Sequence, residues 1–347
     1  MFGYYSPVTV NAAQVPSAQT NFPMLVSYTD ARLKTVGNGG HVQNANGYDI
    51  RPYDAVGGSA MTFELERYNA STGEVIMWVL VPSCDVGSIV YLYYGDATIS
   101  TNGSSTSTWD SNYKRVLHLP DGTTLSANDS TSNADNGTIT TPAVAAGQID
   151  GGALFNSTTD YISFSGTPLT AGQPFSVSWW EKVTVNTNAF PSRFCMPMSG
   201  STDRLLMCGS STVVPYYWGR CPSTPVTALT VASAPSIASG VGIWRKILLT
   251  GSDPRSGTAA DYKLYVNGVS YTVSASGAFG VVTTNRIGYD GTLNGADLTF
   301  DEFRVSNGVQ RSADWETTEY NNQSSPSTFA TLGTEVALNQ SNFFIMF

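Results

Sequence analysis

Charge is scarce in this chain. Lys, Arg, Asp and Glu make up only 12% of its 347 residues, and the net charge is −9 at pH 7. Phosphate binding needs clustered cations that release counterions, so nucleic acid is excluded as a partner. An anionic membrane surface finds equally little to hold. Histidine is rarer still, confined to His41 and His118. Neither lies near a Gly-x-Ser-x-Gly turn or a Cys at recognisable spacing, so nucleophilic catalysis has no visible constellation. The cysteines, Cys84, Cys195, Cys208 and Cys221, fit no zinc pattern, and no Gly-rich loop leads into Lys-Ser/Thr. Long apolar runs are also missing. The longest, Val75–Val81, falls far short of the ~20 residues of a spanning helix. The start, MFGYYSPVTV, lacks a basic n-region, an apolar h-region and a cleavage site, so no export signal is expected.

What is present reads as β-structure. Hydrophobic residues reach 41% while Gly, Ser, Thr and Asn fill much of the remainder, the balance of short strands joined by polar turns. Met61, Phe63 and Leu65 alternate with Thr62, Glu64 and Glu66. Val75–Val81 is apolar on both faces, as a covered central strand would be, and Ile89–Tyr94 (IVYLYY) is similar. Residues 69–73 and 82–87 carry turn signals. Residues 98–108 (TISTNGSSTST) read as an exposed linker. Beyond it, Phe175, Val177 and Trp179 share one face of a core strand, and Asn267-Gly268 between two alternating runs predicts a tight hairpin. The expected division is 1–97, a small sandwich; 98–108, a linker; 109–336, a second β-module; and 337–347, an apolar tail.

Two resemblances sharpen this. FPMLVS (22–27), GYDIRPYD (47–54), FELERYN (63–69), IMWVLVP (76–82) and VYLYYGDA (90–97) resemble a domain of unknown function that precedes jelly rolls in bacterial, archaeal and phage proteins. WDSNYKRVLHLPDG, IDGGALF, LYVNG, RIGYDG and FDEFRVSNG are similar to laminin-G-like, concanavalin A-type jelly rolls. The implied fold class is all-β, a small antiparallel β-sandwich followed by a concanavalin A-like jelly roll.

Candidate sites follow. Glycoside hydrolysis needs two carboxylates flanking a cleft. The E-x-D-x-x-E signature of concanavalin-fold glucanases is missing, and Glu64 and Glu66 fall on the solvent side of their strand. Asp129, Asn133 and Asp135 place oxygens at alternate positions, which suits a hard cation. The laminin-G resemblance implies one structural calcium there, with Asp129 and Asp301 as first ligands; an Asx-turn loop bonding its own backbone is the alternative. Tyr216, Tyr217 and Trp218 are the candidate glycan platform, unless they are core. Cys195 and Cys208 flank a turn and would face each other in a hairpin, within disulfide reach, or all four cysteines are buried thiols. Cytosolic assembly favours thiols. Phe343, Phe344 and Phe347 would each cost ~1.5–3 kcal/mol in water, so they must dock on this chain or on a neighbour.

The expectation is a non-enzymatic bacteriophage virion surface protein, a capsid decoration subunit or a tail or fibre accessory. It would be made in the host cytoplasm, pack against other virion proteins or copies of itself, and offer a lectin-like domain to surface glycans. The alternatives are a secreted or cell-surface carbohydrate-binding module and a glycan-cleaving enzyme.

Overall fold

The computed structural model describes residues 1–120, 124–157, 159–184, 192–201, 204–209, 216–221, 226–231, 241–256, 258–279, 284–289 and 297–338. The chain divides into two compact units, Met1–Asp110 with Thr317–Phe347, and Ser111–Glu316. Both are built of β-strands, and the described pairings are antiparallel except that of Leu169–Thr170 with Met198–Ser199 and an isolated bridge between Thr35 and Val42. Among the described residues no helix is long and apolar enough to cross a membrane.

The first unit holds two sheets. One has five strands, in the order Ala330–Leu332, Tyr4–Val10, Ile89–Tyr94, Arg51–Tyr53, with Val336–Ala337 also paired to Tyr4–Val10. The other has three, Gln19–Thr29, Glu74–Cys84 and Phe63–Asn69. Alternation turns Ser6, Val8 and Val10 inward, and likewise Val90, Leu92 and Tyr94. Val75 to Val79 are buried without a break, as a doubly covered strand requires. Tyr28 ties the sheets together by donating its hydroxyl to Ala330 O at 2.5 Å.

The returning C-terminal segment is an integral part of this unit. Asn322, on helix α1 (Ala313–Ser324), accepts from Leu25 N and donates to Leu25 O, at 2.7 and 2.9 Å. His41 Nδ1 and the Tyr94 hydroxyl both reach Glu335 Oε2 at 2.7 Å. The second module therefore ends at Glu316, and not at the expected residue 336. The expected linker is also corrected. Leu65 N donates to Ser104 Oγ and Ser105 N to Phe63 O, and Thr108 is fully buried. Trp109, expected to open the second module, lies in the first and sits 5.6 Å from the Trp78 ring.

The second unit is a sandwich of an eight-stranded and a nine-stranded sheet. Its core draws on both: Phe155, Phe175, Val177, Trp179, Leu249 and Phe300 from one, Ile162, Phe194, Met196, Leu205, Trp218 and Ile287 from the other. Trp179 meets Phe194 edge to face across the layers at 5.5 Å. Asn267 and Gly268 have φ of 52° and 78°, and Val266 faces Val269, which is the tight hairpin that Asn-Gly favours. Ser312 caps α1 by accepting from Trp315 N at 3.0 Å.

One irregularity matters for the charged residues. In the strand Leu298–Asn307 the register with Phe175–Val183 shifts between Ser178 and Trp180, and Glu302 takes φ of 50°. A bulge of this kind re-aims a side chain. Here it carries the Glu302 carboxylate to His118 Nδ1 at 2.7 Å and to Arg304 Nη2 at 2.6 Å.

Candidate functional site

The most site-like surface lies on the first unit, on the outer face of its five-stranded sheet. Inward-facing Val8, Val90 and Leu92 leave Tyr5, Pro7, Tyr91 and Tyr93 on the other side. Register then sets them in rows across the strands: Tyr5, Tyr93 and Arg51 in one, Pro7, Tyr91 and Tyr53 in the next. The rings touch. Tyr53 lies 4.7 Å from Tyr93, Tyr5 lies 5.4 Å from Tyr93 and 5.8 Å from Tyr91, and Phe2 packs against Tyr53 and Tyr93. Phe2, Tyr5, Tyr53 and Tyr91 remain half-buried, so their rings are neither core nor fully solvated.

Beside these rings is a cleft of about 340 Å³, lined by Phe2, Arg51, Tyr53, Met61, Phe63 and Ile99 among others. That is the low end of the ~300–1,000 Å³ of small-molecule sites. Arg51 donates Nη2 to Thr101 O at 2.7 Å, and its guanidinium carbon lies 5.2 Å from the Phe63 ring centre. Burial lowers the Arg51 pKa from its ordinary value, against the smaller opposing pull of Tyr53 and Asp49. Asp49 itself is buried and accepts from Gln43 N, Asn44 N and Gly95 N. The Tyr93 hydroxyl accepts from Gly57 N at 2.9 Å. Among the described residues, the hydroxyls of Tyr5, Tyr53 and Tyr91 have no protein partner. Ring faces with adjacent hydroxyls and one cation can stack on the C–H face of a sugar and bond its hydroxyls.

The sequence pointed elsewhere for the glycan platform. Tyr216 and Trp218 are fully buried in the core of the second unit, where Tyr216 donates its hydroxyl to Glu181 Oε1 and Trp218 packs on Tyr262. They present no face to a ligand; the Tyr217 side chain lies outside the described residues. What sequence reasoning missed was the meaning of Tyr91 and Tyr93. Read as a strand apolar on both faces, IVYLYY hides an alternation of Val90 and Leu92 with rings that carry hydroxyls.

The proposed calcium ligands do not fit a cation. Asp129 accepts from Val116 N, Thr131 N, Thr131 Oγ1 and Asp135 N, so the loop bonds itself. Asn133 donates to Tyr113 O, Lys114 O and Thr131 Oγ1. Asp135 is paired with the buried Arg115 and accepts from Gly166 N. Asp301 belongs to another turn, where it accepts from Gln148 N and Ile149 N. A resident cation, Arg115, already occupies this corner.

The buried glutamates of the second unit are equally committed. Burial alone would raise the Glu181 pKa, but Arg193, Trp179 and Tyr216 more than offset it and hold the carboxyl below its ordinary value. Glu302 is likewise held low despite burial, by His118 and Arg304. Glu316 meets Lys246 Nζ at 2.6 Å. Asp297 is pushed upward, by burial alone. In the first unit Glu64 and Glu66, expected on the solvent side, are partly buried and accept the indole N–H groups of Trp109 and Trp78 at 2.6 and 2.7 Å.

Cys195 faces Leu206 and Cys208 faces Ser192, so the hairpin register does not set the two cysteines opposite each other. Cys84, Cys195 and Cys208 are buried thiols. Phe343, Phe344 and Phe347 lie outside the described residues.

A family model described as a domain of unknown function, DUF2341, matches residues 46–135. The match contains GYDIRPYD through VYLYYGDA, starts after FPMLVS, and runs past Asp110 into the second unit. No curated protein matches the chain. Among solved structures, domain 4 of the extracellular arabinanase AbnA from Geobacillus stearothermophilus, in complex with arabinotriose, is similar at 21% identity. That match covers 60% of this chain and 98% of that one, with a TM-score of 0.38. The binding domain of botulinum neurotoxin serotype D is similar at 15% identity over 63% of this chain and 53% of that one, with a TM-score of 0.41. The receptor binding domain of botulinum neurotoxin type G gives 15%, 61%, 52% and 0.38. The chain thus spans about half the length of these toxin domains.

Proposed function

We propose that this chain is a non-enzymatic carbohydrate-binding protein whose glycan platform is the aromatic face of the first unit. The carrying observation is the set of touching, half-buried rings of Phe2, Tyr5, Tyr53 and Tyr91 beside the Arg51 cleft. A solvated sheet face normally carries polar residues. Rings retained there, with unspent hydroxyls, favour stacking on sugars. The non-enzymatic part is supported by the buried glutamates of the second unit: a glycosidase acid needs a raised pKa opposite a second carboxylate, whereas Glu181 and Glu302 are held low, Glu181 chiefly by Arg193 and Glu302 by His118 and Arg304; Asp297 alone is raised, by burial.

The test is a glycan array probed with the whole chain and with Tyr53→Ala and Tyr91→Ala. Binding to at least one glycan class, weakened tenfold or more by either substitution with the fold unchanged by circular dichroism, is the expected result. Binding indifferent to both substitutions would move the platform elsewhere. The absence of any glycan binding would remove the reading altogether.

The finer setting we propose is the exterior of a bacteriophage particle, as a capsid decoration subunit or a tail or fibre accessory among other virion proteins. It rests on the resemblance of the two sequence modules to phage and prokaryotic surface proteins. Immunogold labelling of purified particles decides it: label on head or tail sustains the virion setting, and unlabelled particles abolish it.

A further inference from the structure

Among the described residues, Arg51 is the sole charged one lining the cleft. Its position is held from three sides. Nη2 donates to Thr101 O, the Phe63 ring lies against the guanidinium, and the backbone of Gly103 runs hard against it. A Cβ placed on Gly103 would collide with the Arg51 guanidinium, so only glycine leaves room for this rotamer. Among the described residues no carboxylate pairs with Arg51. Asp49, whose charge it feels, is buried and turned onto the amides of Gln43, Asn44 and Gly95. A cation is thus fixed in a largely apolar, aromatic cleft with most of its N–H groups unspent.

A neutral sugar makes little use of such a group. A guanidinium is planar, always charged, and matched to a carboxylate by two parallel hydrogen bonds. Register sets Arg51 directly beside Tyr93, in the row next to Tyr53, so a sugar ring on the aromatic face carries its substituent within reach of the fork. The net charge of −9 does not oppose this at close range, since screening at physiological salt acts within ~8 Å.

The geometry points to an acidic sugar, a uronic acid residue, as the ligand of this cleft, with its ring on Tyr53 and Phe2 and its carboxylate on Arg51. This inference rests on the glycan-binding reading above.

Isothermal titration calorimetry of the whole chain with trigalacturonate, and with the same trisaccharide after reduction of its carboxyls to alcohols, tests it. The expected result is binding at least tenfold tighter for the acid form, a preference that weakens between 50 and 500 mM salt, conditions at the order of magnitude that separates screened from unscreened charges. Arg51→Gln and Gly103→Ala should each reduce that preference to near unity, the second by displacing a guanidinium that is still present. Equal affinity for both forms overturns the acidic-sugar inference while leaving glycan binding intact. An acid preference that survives both substitutions overturns the assignment to Arg51. Failure to bind either trisaccharide by a chain that does bind neutral glycans on an array also overturns the inference; failure to bind any glycan removes the underlying reading. The comparison of the two trisaccharides uses the unaltered chain, so it stands even if a variant misfolds.

Discussion

Arg115 is salt-bridged to Asp135 inside the second unit, and its guanidinium carbon lies 3.7 Å from the centre of the Phe164 ring. The pair occupies the corner where the Asx-rich loop suggested a divalent cation. An arginine on the neighbouring strand does the neutralising, and the loop's remaining acceptors close on its own backbone. The Arg115 Nε and Nη1 atoms are buried without a hydrogen-bond partner, so the Asp135 contact, the nearby Asp129 charge and the ring face are what compensate its charge.

Chelation should therefore leave the second unit unchanged. Thermal melts with excess EDTA and with added calcium are expected to superimpose. Asp135→Asn, by contrast, takes the direct partner from a buried cation, leaving only the Asp129 charge near it, and should cost up to ~3–5 kcal/mol in urea denaturation. A calcium-dependent rise in melting temperature would count against this account.

The cysteines give a second test. Burial pushes the Cys84 thiol up to about 12, with a smaller contribution from Asp85. Thiolate is the reactive form, so alkylation of native protein at pH 8 should be negligible at Cys84 and complete only in denaturant. Intact mass after iodoacetamide treatment reads this directly. Dithiothreitol should not shift the melting temperature, because Cys195 faces Leu206 and Cys208 faces Ser192. A reductant-sensitive melt would indicate a cross-link.

Much of this architecture is legible in the sequence because period-two alternation reports burial directly. Phe175, Val177 and Trp179 lie in the core as their spacing requires, and Asn267-Gly268 makes its hairpin. What alternation does not encode is which neighbour does the covering. Tyr216 and Trp218 are core residues and Tyr91 is half-buried on an outer face, although all three are aromatics within strands. Domain limits failed for a related reason. The Ser/Thr-rich stretch 98–108 looks solvated, yet Ser104 and Ser105 spend their hydrogen bonds on the strand Phe63–Asn69. The return of residues 317–338 depends on long-range partners such as Asn322 with Leu25, for which no local pattern exists. The bulge that turns Glu302 onto His118 is equally silent in sequence.

Acid should destabilise the second unit through its buried pairs. Glu181 and Glu302 have folded pKa values below their ordinary ones, so the unfolded chain binds more protons as pH falls. Their contribution is fully present above the ordinary glutamate value of about 4.3 and is lost as pH drops through the lower folded values. Urea denaturation at pH 7, 5, 4 and 3 should show stability falling chiefly below pH 5, around the order of that ordinary value. The double substitution Glu181→Gln with Arg193→Met removes the pair without stranding a charge, and should flatten that fall. An unchanged slope would mean that Glu181 titrates normally.

The two aromatic groups separate stability from recognition. Trp218 is fully buried against Tyr262, so Trp218→Ala removes a large core side chain and leaves a cavity, at a cost of ~3–5 kcal/mol. Its effect on glycan binding should be no more than the loss of folded protein. Tyr53 is half-buried on an outer face and touches Phe2 and Tyr93 at its edges, so Tyr53→Ala should cost only ~0.5–1.5 kcal/mol for the lost ring contacts. Binding to the preferred glycan should nevertheless fall tenfold or more, because one face of the cleft is gone. Measuring urea midpoints and glycan affinity on both variants distinguishes the two roles. If Trp218→Ala weakened binding in a chain as stable as the original, the ligand would be reading the second unit, and the aromatic face of the first would be structural. If Tyr53→Ala lost stability without losing affinity, the rings would be a packing device. The register of Tyr53 against Tyr91, with Arg51 beside Tyr93, argues for recognition: packing alone gives no reason to fix a cation that no described carboxylate pairs next to half-buried rings.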